Sequence, residues 1–510
     1  MPSYTNPFVL FRILLLPAVI AYLYLNFYPA INDCAFPPAQ KVRTRCSGSA
    51  CKNTTVNAGL PPFRLLALAD PQLEGDTSLP PGWDSGASFG LGQLWEHAST
   101  GDLEALGRDL PVILQGYRKK LDLWGTDWYL AHIYRQARWW ASPTHTVVLG
   151  DLLGSQWIGD DEFEARAERF WTRVFDIAER VPDDTMAAQH EVEVLGKNAR
   201  DWRKRVIAVA GNHDVGYSGD LDEARIERFE RAFGKVNWEL RFRLPDAPLE
   251  EGHTFASQKT PDFYDGPAPQ PELRLVVLNS MNLDEPARSP ALREQSLDFM
   301  SETLCNPDRF DNEHTATVLL THIPLHKSSG ICVDGPFFSY FSPANGGGVR
   351  EQNHPSEDVS KCLVDCLQRT QSSIVLNGHD HEGCDSFHYR DPPSSSSSTA
   401  DNPAIAKTIP TRDSPSLSPA QKAQSVREIT VRSMMGSYGG HAGFLSGWFN
   451  VDKGEWEFEY ASCAFGVQHI WWVCKVLIYL QAGLGCLSAL GALIRAVREE
   501  RGGVEKVKKA

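Results

Sequence analysis

Five short apolar runs recur along the chain, at 65–69, 145–149, 206–210, 317–320 and 373–376. Each is of strand length, and all but 317–320, which runs into Thr321, are followed by Gly, Asp or Asn, which predicts buried strands. The run 273–279 is of the same kind, and 428–434, 447–452 and 455–460 resume the pattern and are expected to close a second sheet. Helical spacing marks 106–140, 160–180, 223–231 and 290–304. The strong charge of 160–180 and 223–231 predicts solvated helix faces packed outside a sheet. Segment 106–140 carries Tyr117, Trp124, Trp128, Tyr129, Tyr134, Trp139 and Trp140. These read first as core and second as a glycan- or lipid-facing wall.

Stretches rich in Gly, Ser and Pro at 75–103 and 327–355 predict loops over a site. Segment 391–425, with its serine run at 394–398, lacks the apolar content to bury a core and predicts a disordered insertion. Two longer apolar stretches stand apart. Residues 8–28 are interrupted only by Arg12 and Asn26, and 470–494 only by Lys475 and Gln481. Each is long enough to cross a bilayer. No small-x-small cleavage site follows the first, which favours an uncleaved transmembrane or signal anchor. The expected order is then an anchor at 8–28, a lumenal stem at 29–62, a catalytic domain at 63–465, a transmembrane helix at 470–494 and a basic cytosolic tail at 495–510.

Polar residues immediately past the apolar runs carry the chemistry. They are Asp70-Pro71-Gln72, Gly150-Asp151, Gly211-Asn212-His213-Asp214, Thr321-His322 and Gly378-His379-Asp380-His381. Residues just beyond the carboxyl ends of strands are where a site at a sheet edge is built. Asp, Asn and His without Cys suit divalent metals of intermediate hardness. Asp151, alone after its glycine, is the natural bridge between two ions.

In this wording the chain resembles the calcineurin-like metallophosphoesterases, whose pattern runs D-x-H, G-D, G-N-H-D/E, H, G-H-x-H. Gln72 stands where most members have His, and a Gln carbonyl ligates more weakly than imidazole. Ala69-Asp70-Pro71-Gln72, GNHDVG at 211–216, THIPLHK at 321–327 and ITVRSMMG at 429–436 resemble a narrower branch. Its members are endoplasmic-reticulum enzymes that remodel GPI anchors by removing ethanolamine phosphate from mannose. The resemblance implies an α/β fold, a metallophosphoesterase-type β-sandwich flanked by helices, here with a transmembrane helix at each end. It implies one divalent metal on Asp70, Gln72, Asp151 and His381, and a second on Asp151, Asn212, His322 and His379. Manganese is expected, with iron or zinc as alternatives. His213 would donate a proton to the leaving oxygen and Asp214 would orient it. His441, in a glycine-rich loop, would contact substrate. The alternative functions are hydrolysis of another lumenal phosphate ester, or a non-catalytic accessory role in the secretory pathway.

Composition narrows the setting. The net charge of −14, with no basic run inside the catalytic region, argues against nucleic acid. Nine of the eleven cysteines lie outside the apolar C-terminal run. They suit disulfides in an oxidising lumen, with one thiol left over. Asn53 heads an N-x-T sequon, which predicts a glycan there. Lys506 and Lys508 resemble a dilysine retrieval signal read by coat machinery. The expected address is the endoplasmic reticulum membrane, with cycling to the Golgi and GPI-anchored proteins as substrate.

Overall fold

The computed structural model describes residues 6–47, 50–80, 91–188, 191–245, 270–309, 314–370, 372–390 and 407–509. Among them, two mixed sheets pack face to face between helical layers. One sheet runs Glu455–Ala464, His441–Asn450, Phe63–Leu68, His145–Leu149, Arg205–Val209, Glu179–Arg180. The other runs Lys407–Pro410, Cys384–Tyr389, Val426–Thr430, Ser372–Asn377, Thr315–Leu320, Glu272–Val277, Trp238–Arg243, Val192–Val194.

The two-residue period of a strand explains the layering. In Phe63–Leu68, the side chains of Phe63 and Leu65 enter the core between the sheets, with Val147 and Leu149 from the next strand. Leu66 and Leu68 point the other way, onto a cluster with Tyr129, Leu130 and Ile133 of the long helix Leu103–Ala141. The second sheet repeats the scheme. Val318 and Leu320 face inward, while Leu319 and Val375 pack against Leu363 and Leu367 of the helix Glu357–Leu367. Both faces of the central strands are therefore covered, which is why they read as continuous apolar runs.

Each sheet has a parallel centre. Phe63–Leu68 pairs with His145–Leu149, and that strand with Arg205–Val209, all parallel. Glu272–Val277, Thr315–Leu320, Ser372–Asn377 and Val426–Thr430 are parallel in the second sheet. Parallel alignment brings the carboxyl ends of five of these strands to one edge of the sandwich.

The late strands divide differently from the expectation. Val426–Thr430 joins the second sheet, but His441–Asn450 and Glu455–Ala464 form a hairpin on the first, through antiparallel pairing with Phe63–Leu68. Their inward residues Leu445 and Trp456 match the core of that sheet. The insertion expected over 391–425 is also revised. Residues 391–406 lie outside the described residues. Lys407–Pro410 is a strand paired with Cys384–Tyr389, and Pro419–Ala423 is a capped helix turn with Ser418 as its N-cap. The ladder and the cap satisfy backbone groups that apolar content alone does not. Part of the 75–103 loop is the helix Leu91–Thr100, and 81–90 lie outside the described residues. The stem contains a hairpin, Ala39–Ser47 with Ala50–Gly59, and Asn53 lies on its second strand.

Two helices, Pro7–Ile31 and the stretch Gln468–Arg498, are long and apolar enough to cross a membrane. They pack on each other, and Gln481 Nε2 donates to the carbonyl of Phe11 at 2.8 Å. A disulfide from Cys34 to Cys463 joins the chain after the first helix to the strand before the second. Further disulfides link Cys305 to Cys366 and Cys332 to Cys384, while Cys362 is a free exposed thiol.

Candidate metal centre

The loops after the parallel strands meet at the shared edge. Asp70 and Gln72 follow Phe63–Leu68, Asp151 follows His145–Leu149, and Asn212 and His213 follow Arg205–Val209. From the other sheet, His322 follows Thr315–Leu320, and His379 and His381 follow Ser372–Asn377. Four of these residues, Asp70, Gln72, Asp151 and His379, sit at positive φ, between 44° and 71°. Such backbone costs about 1–3 kcal/mol at a non-glycine residue and concentrates at functional sites. Gly150 enables a close approach. A Cβ there would fall 2.2 Å from His322 Nδ1, so no side chain fits.

Ligand-capable atoms gather in two groups, each within 4.8 Å. Asp70, Asp151 and His381 form one; Asp151, His322 and His379 form the other. Asp151 belongs to both, as a bridging carboxylate must. Asn212 Oδ1 lies 3.0 Å from His322 Nε2 and 2.9 Å from His379 Nδ1, which places its carbonyl in the second group. Gln72 Nε2 lies 3.0 Å from Asp151 Oδ2 and 3.3 Å from His381 Nε2, which places its amide in the first. His322 Nδ1 is 2.7 Å from the carbonyl of Leu149. That bond fixes the tautomer with the proton on Nδ1 and turns Nε2 toward Asp151 at 3.3 Å.

The electrostatics call for cations. Asp70 is fully buried, and its Oδ2 has no hydrogen-bond partner. Burial pushes its carboxyl well above the usual range, against the pull of His322, and Asp151 adds to the push. Burial also opposes ionisation of Asp151, but His213, His322 and His379 hold it well below the carboxylate range. Burial alone would lower His322, yet Asp151 and Asp70 raise it to about 9. Burial and then His322 drive His379 down to about 3, leaving a neutral imidazole ready to ligate. An orphaned buried carboxylate oxygen, a shared Asp and the neutral His379 imidazole fit divalent cations. These Asp and His groups are positioned for metal.

His213 plays a different part from its neighbours. Its backbone N–H donates to Asp151 Oδ1 at 2.8 Å, while its ring is partly exposed and its Nε2 is 3.7 Å from Asp151 Oδ2. Asp214 does not touch that ring. Its buried carboxylate accepts from the amides of Leu152 (3.1 Å), Leu153 (2.9 Å) and Gly211 (2.9 Å). The expectation that Asp214 orients His213 is therefore replaced. Asp214 ties the loop bearing Asp151 to the loop bearing Asn212. Burial, with Asp151 nearby, raises it to about 7.

A second tie comes from the helix Asp160–Arg169. This helix was expected to present a solvated charged face, but Arg166 is fully buried. Its Nη1 donates to the carbonyls of Leu73 at 3.1 Å and Gly154 at 2.7 Å, and Nε pairs with Glu162 at 2.7 Å. It thus holds together the loops that carry Gln72 and Asp151. Charge at helical spacing does not reveal which arginine turns inward, because the carbonyls it meets are distant in sequence.

Above the centre lies a cleft of about 410 Å³. Asp334 and Glu351 line it from the 327–355 segment, which folds partly into the hairpin Phe338–Tyr340 with Val349–Gln352. Tyr217, Asp380, Glu382 and Tyr438 complete the rim. The Cys332–Cys384 disulfide secures the Asp334 loop to the strand after His381. His441 does not line the cleft. It begins the strand His441–Asn450, its Nδ1 3.3 Å from Ser462 Oγ. Tyr438, its ring 4.8 Å from that of His381, occupies the place expected of it. The expected loop identified the right segment but not the right side chain.

No protein-family model matches the chain. Protein TED1 of Saccharomyces cerevisiae is 31% identical over 406 residues, covering 71% of this chain and 76% of that protein. Metallophosphoesterase 1 of Cricetulus griseus is 24% identical over 277 residues, covering 52% of this chain and 57% of that one. The solved GAP50 anchor of the Plasmodium inner membrane complex aligns over 82% of this chain and 94% of its own, at 9% identity and a TM-score of 0.34. With the site geometry in place, the chain belongs to the calcineurin-like metallophosphoesterases, in the branch that remodels GPI anchors in the endoplasmic reticulum.

Proposed function

We propose that the protein is a membrane-anchored phosphodiesterase with two divalent metals that removes ethanolamine phosphate from mannose of GPI anchors in the early secretory pathway. The observation that carries this reading is the charge of the cleft. Beyond the metal-ligand residues its lining includes Asp334, Glu351, Asp380 and Glu382, and among the described residues it includes no Lys or Arg. Arg432 pairs with Glu382 at 3.5 Å and does not line the cleft. Burial, and Asp380 beside it, hold the Asp334 carboxyl above its usual range, a sign of crowded negative charge. Such a rim repels a polyanion such as a nucleotide and attracts a substrate whose phosphate carries an ammonium group. Ethanolamine phosphate is that substrate.

Divalent cations bound here, with manganese the expected metal, would polarise the phosphoryl oxygens and lower the pKa of attacking water. The remaining work falls to the chain. Asp334 and Glu351 hold the ammonium and so point the mannose oxygen away from the rim. His213, partly exposed beside Asp151, donates a proton to that oxygen as its bond to phosphorus breaks. Water adds to phosphorus, giving a mannose hydroxyl and free ethanolamine phosphate. The two apolar helices hold the site beside lipid-linked substrate on the lumenal side.

The test compares two diesters with one leaving group, one bearing ethanolamine and one bearing an uncharged ethyl group. The wild-type kcat/KM should favour the ethanolamine ester, and Asp334→Asn with Glu351→Gln should erase the preference through KM. Equal rates in wild type would refute the assignment of the rim.

A further inference from the structure

A second cavity, of about 310 Å³, lies away from the metal centre, between the N-terminal helix, the long helix Leu103–Ala141 and the C-terminal helix. Its walls include Trp124, Trp128, Trp471 and Trp472, and its polar groups include His132, Arg135 and Lys475. No acidic residue lines it among the described residues. The Arg135 guanidinium sits 5.3 Å from the centre of the Trp128 ring and pairs with Asp176, which does not line the cavity. Lys475 Nζ lies 5.5 Å from the centre of the Trp471 ring. Among the described residues the lining offers Lys475 no Asp or Glu to match its charge.

Position gives this cavity its meaning. Lys475 is near the start of the C-terminal helix, and 476–494 beyond it contain no charged residue. Before it, Gln468 donates to Thr126 Oγ1 at 2.7 Å and packs on Gly436, in the loop that carries Tyr438 to the metal cleft. The cavity therefore sits at the boundary between the catalytic domain and the apolar spans. Trp and Tyr gather at that depth in membrane proteins, level with lipid headgroups. Tyr479 is a further wall residue on the same helix. The sequence marked 106–140 for its aromatics, and the structure divides them. Tyr129 and Tyr134 are core, whereas Trp124 and Trp128 face this cavity.

We propose that this cavity binds the phosphate of a net-anionic membrane phospholipid, with Lys475 as its principal charge partner. Arg135 and His132 add donors, the tryptophans flank the glycerol, and the acyl chains lie along the two apolar helices. A basic pocket between membrane helices is a recurrent lipid-headgroup solution. A zwitterionic lipid is disfavoured, because its ammonium would meet Arg135 and Lys475 with no free carboxylate in the lining. The proposal rests on the two helices crossing a bilayer.

The experiment uses the full chain, purified in detergent and then reconstituted. Native mass spectrometry measures retention of phosphatidylinositol or phosphatidylcholine, with inorganic phosphate as competitor. Wild type should keep one phosphatidylinositol per chain at least tenfold more tightly than phosphatidylcholine, and millimolar inorganic phosphate should not displace it. Lys475→Glu should lose the lipid at least tenfold, and Lys475→Arg should keep it. Equal retention of the two lipids by wild type overturns the proposal without reference to any variant's folding. Displacement by inorganic phosphate would show an anion site rather than a lipid site and also overturns it. Release of the reconstituted protein by alkaline carbonate would overturn the spanning reading and the lipid site together. Stable insertion without lipid preference would overturn the lipid site alone.

Discussion

Removing the Asp214 carboxylate tests how the two ligand loops are held. Three buried amides, of Leu152, Leu153 and Gly211, depend on it at 2.9–3.1 Å. Each buried donor left without a partner costs about 1–3 kcal/mol. Relief of repulsion with Asp151 and local relaxation return part of that, so Asp214→Ala should cost on the order of 3–6 kcal/mol. Asp214→Asn should cost less, since its carbonyl still accepts while its amide nitrogen opposes one donor. In a domain of this size the alanine variant should melt roughly 5–10 °C below wild type, with asparagine between. Thermal unfolding followed by tryptophan fluorescence, alongside elemental analysis, reads both stability and metal content. The alanine variant should lose both, because Asp151 and Asn212 lie on the loops it releases. Wild-type melting and metal content, together with a lost rate and a displaced acid limb in the pH profile, would refute this. Asp214 would then act on His213 after all.

Asp151→Asn should abolish turnover and lower bound metal at both groups, whereas His213→Ala should keep its metal and lose most of kcat; elemental analysis with the opposite pattern would reverse the two roles. Glu428 is buried with Lys327 (2.8 Å) and His388 (2.6 Å). Glu428→Gln leaves the Lys327 charge unpaired, which should cost about 3–5 kcal/mol and show as a lower melting temperature; an unchanged one would mean the charge is compensated elsewhere. Burial, with Arg64 nearby, lowers His145 to about 3. Its neutral form therefore stabilises the fold fully above the unfolded value near 6.5, and that contribution is lost as pH falls from there toward 3. The loss should reach about 2 kcal/mol by pH 5, and His145→Phe should remove it; parallel acid-stability curves for the two proteins would contradict the assignment.

The strands that carry the site could be read from the chain because they are covered on both faces. The runs at 65–69, 145–149, 206–210, 317–320 and 373–376 match Phe63–Leu68, His145–Leu149, Arg205–Val209, Thr315–Leu320 and Ser372–Asn377 to within a few residues. Parallel pairing then put their following residues on one edge. What could not be read depends on partners distant in sequence. The inward turn of Arg166 answers carbonyls of Leu73 and Gly154. Asp214 answers the amides of Leu152 and Leu153, 62 and 61 residues earlier, although its neighbour His213 is nearer in sequence. The acidic rim gathers Asp334 and Glu351 from the 327–355 segment and Glu382 from the loop after Ser372–Asn377, which no local pattern links. The strand Lys407–Pro410 follows a serine- and proline-rich stretch and owes its order to the edge of Cys384–Tyr389. The glycines beside His441 suggest a substrate loop, yet its strand carries it toward Ser462 instead.

The most direct test is to incubate the purified full chain and Mn²⁺ with a GPI-anchored protein and weigh the released glycan by mass spectrometry. Loss of one ethanolamine phosphate unit is expected, with the mannose hydroxyl regenerated, and no loss with Asp151→Asn. An unchanged glycan from an enzyme that cleaves nucleotide or sphingolipid diesters briskly would contradict it.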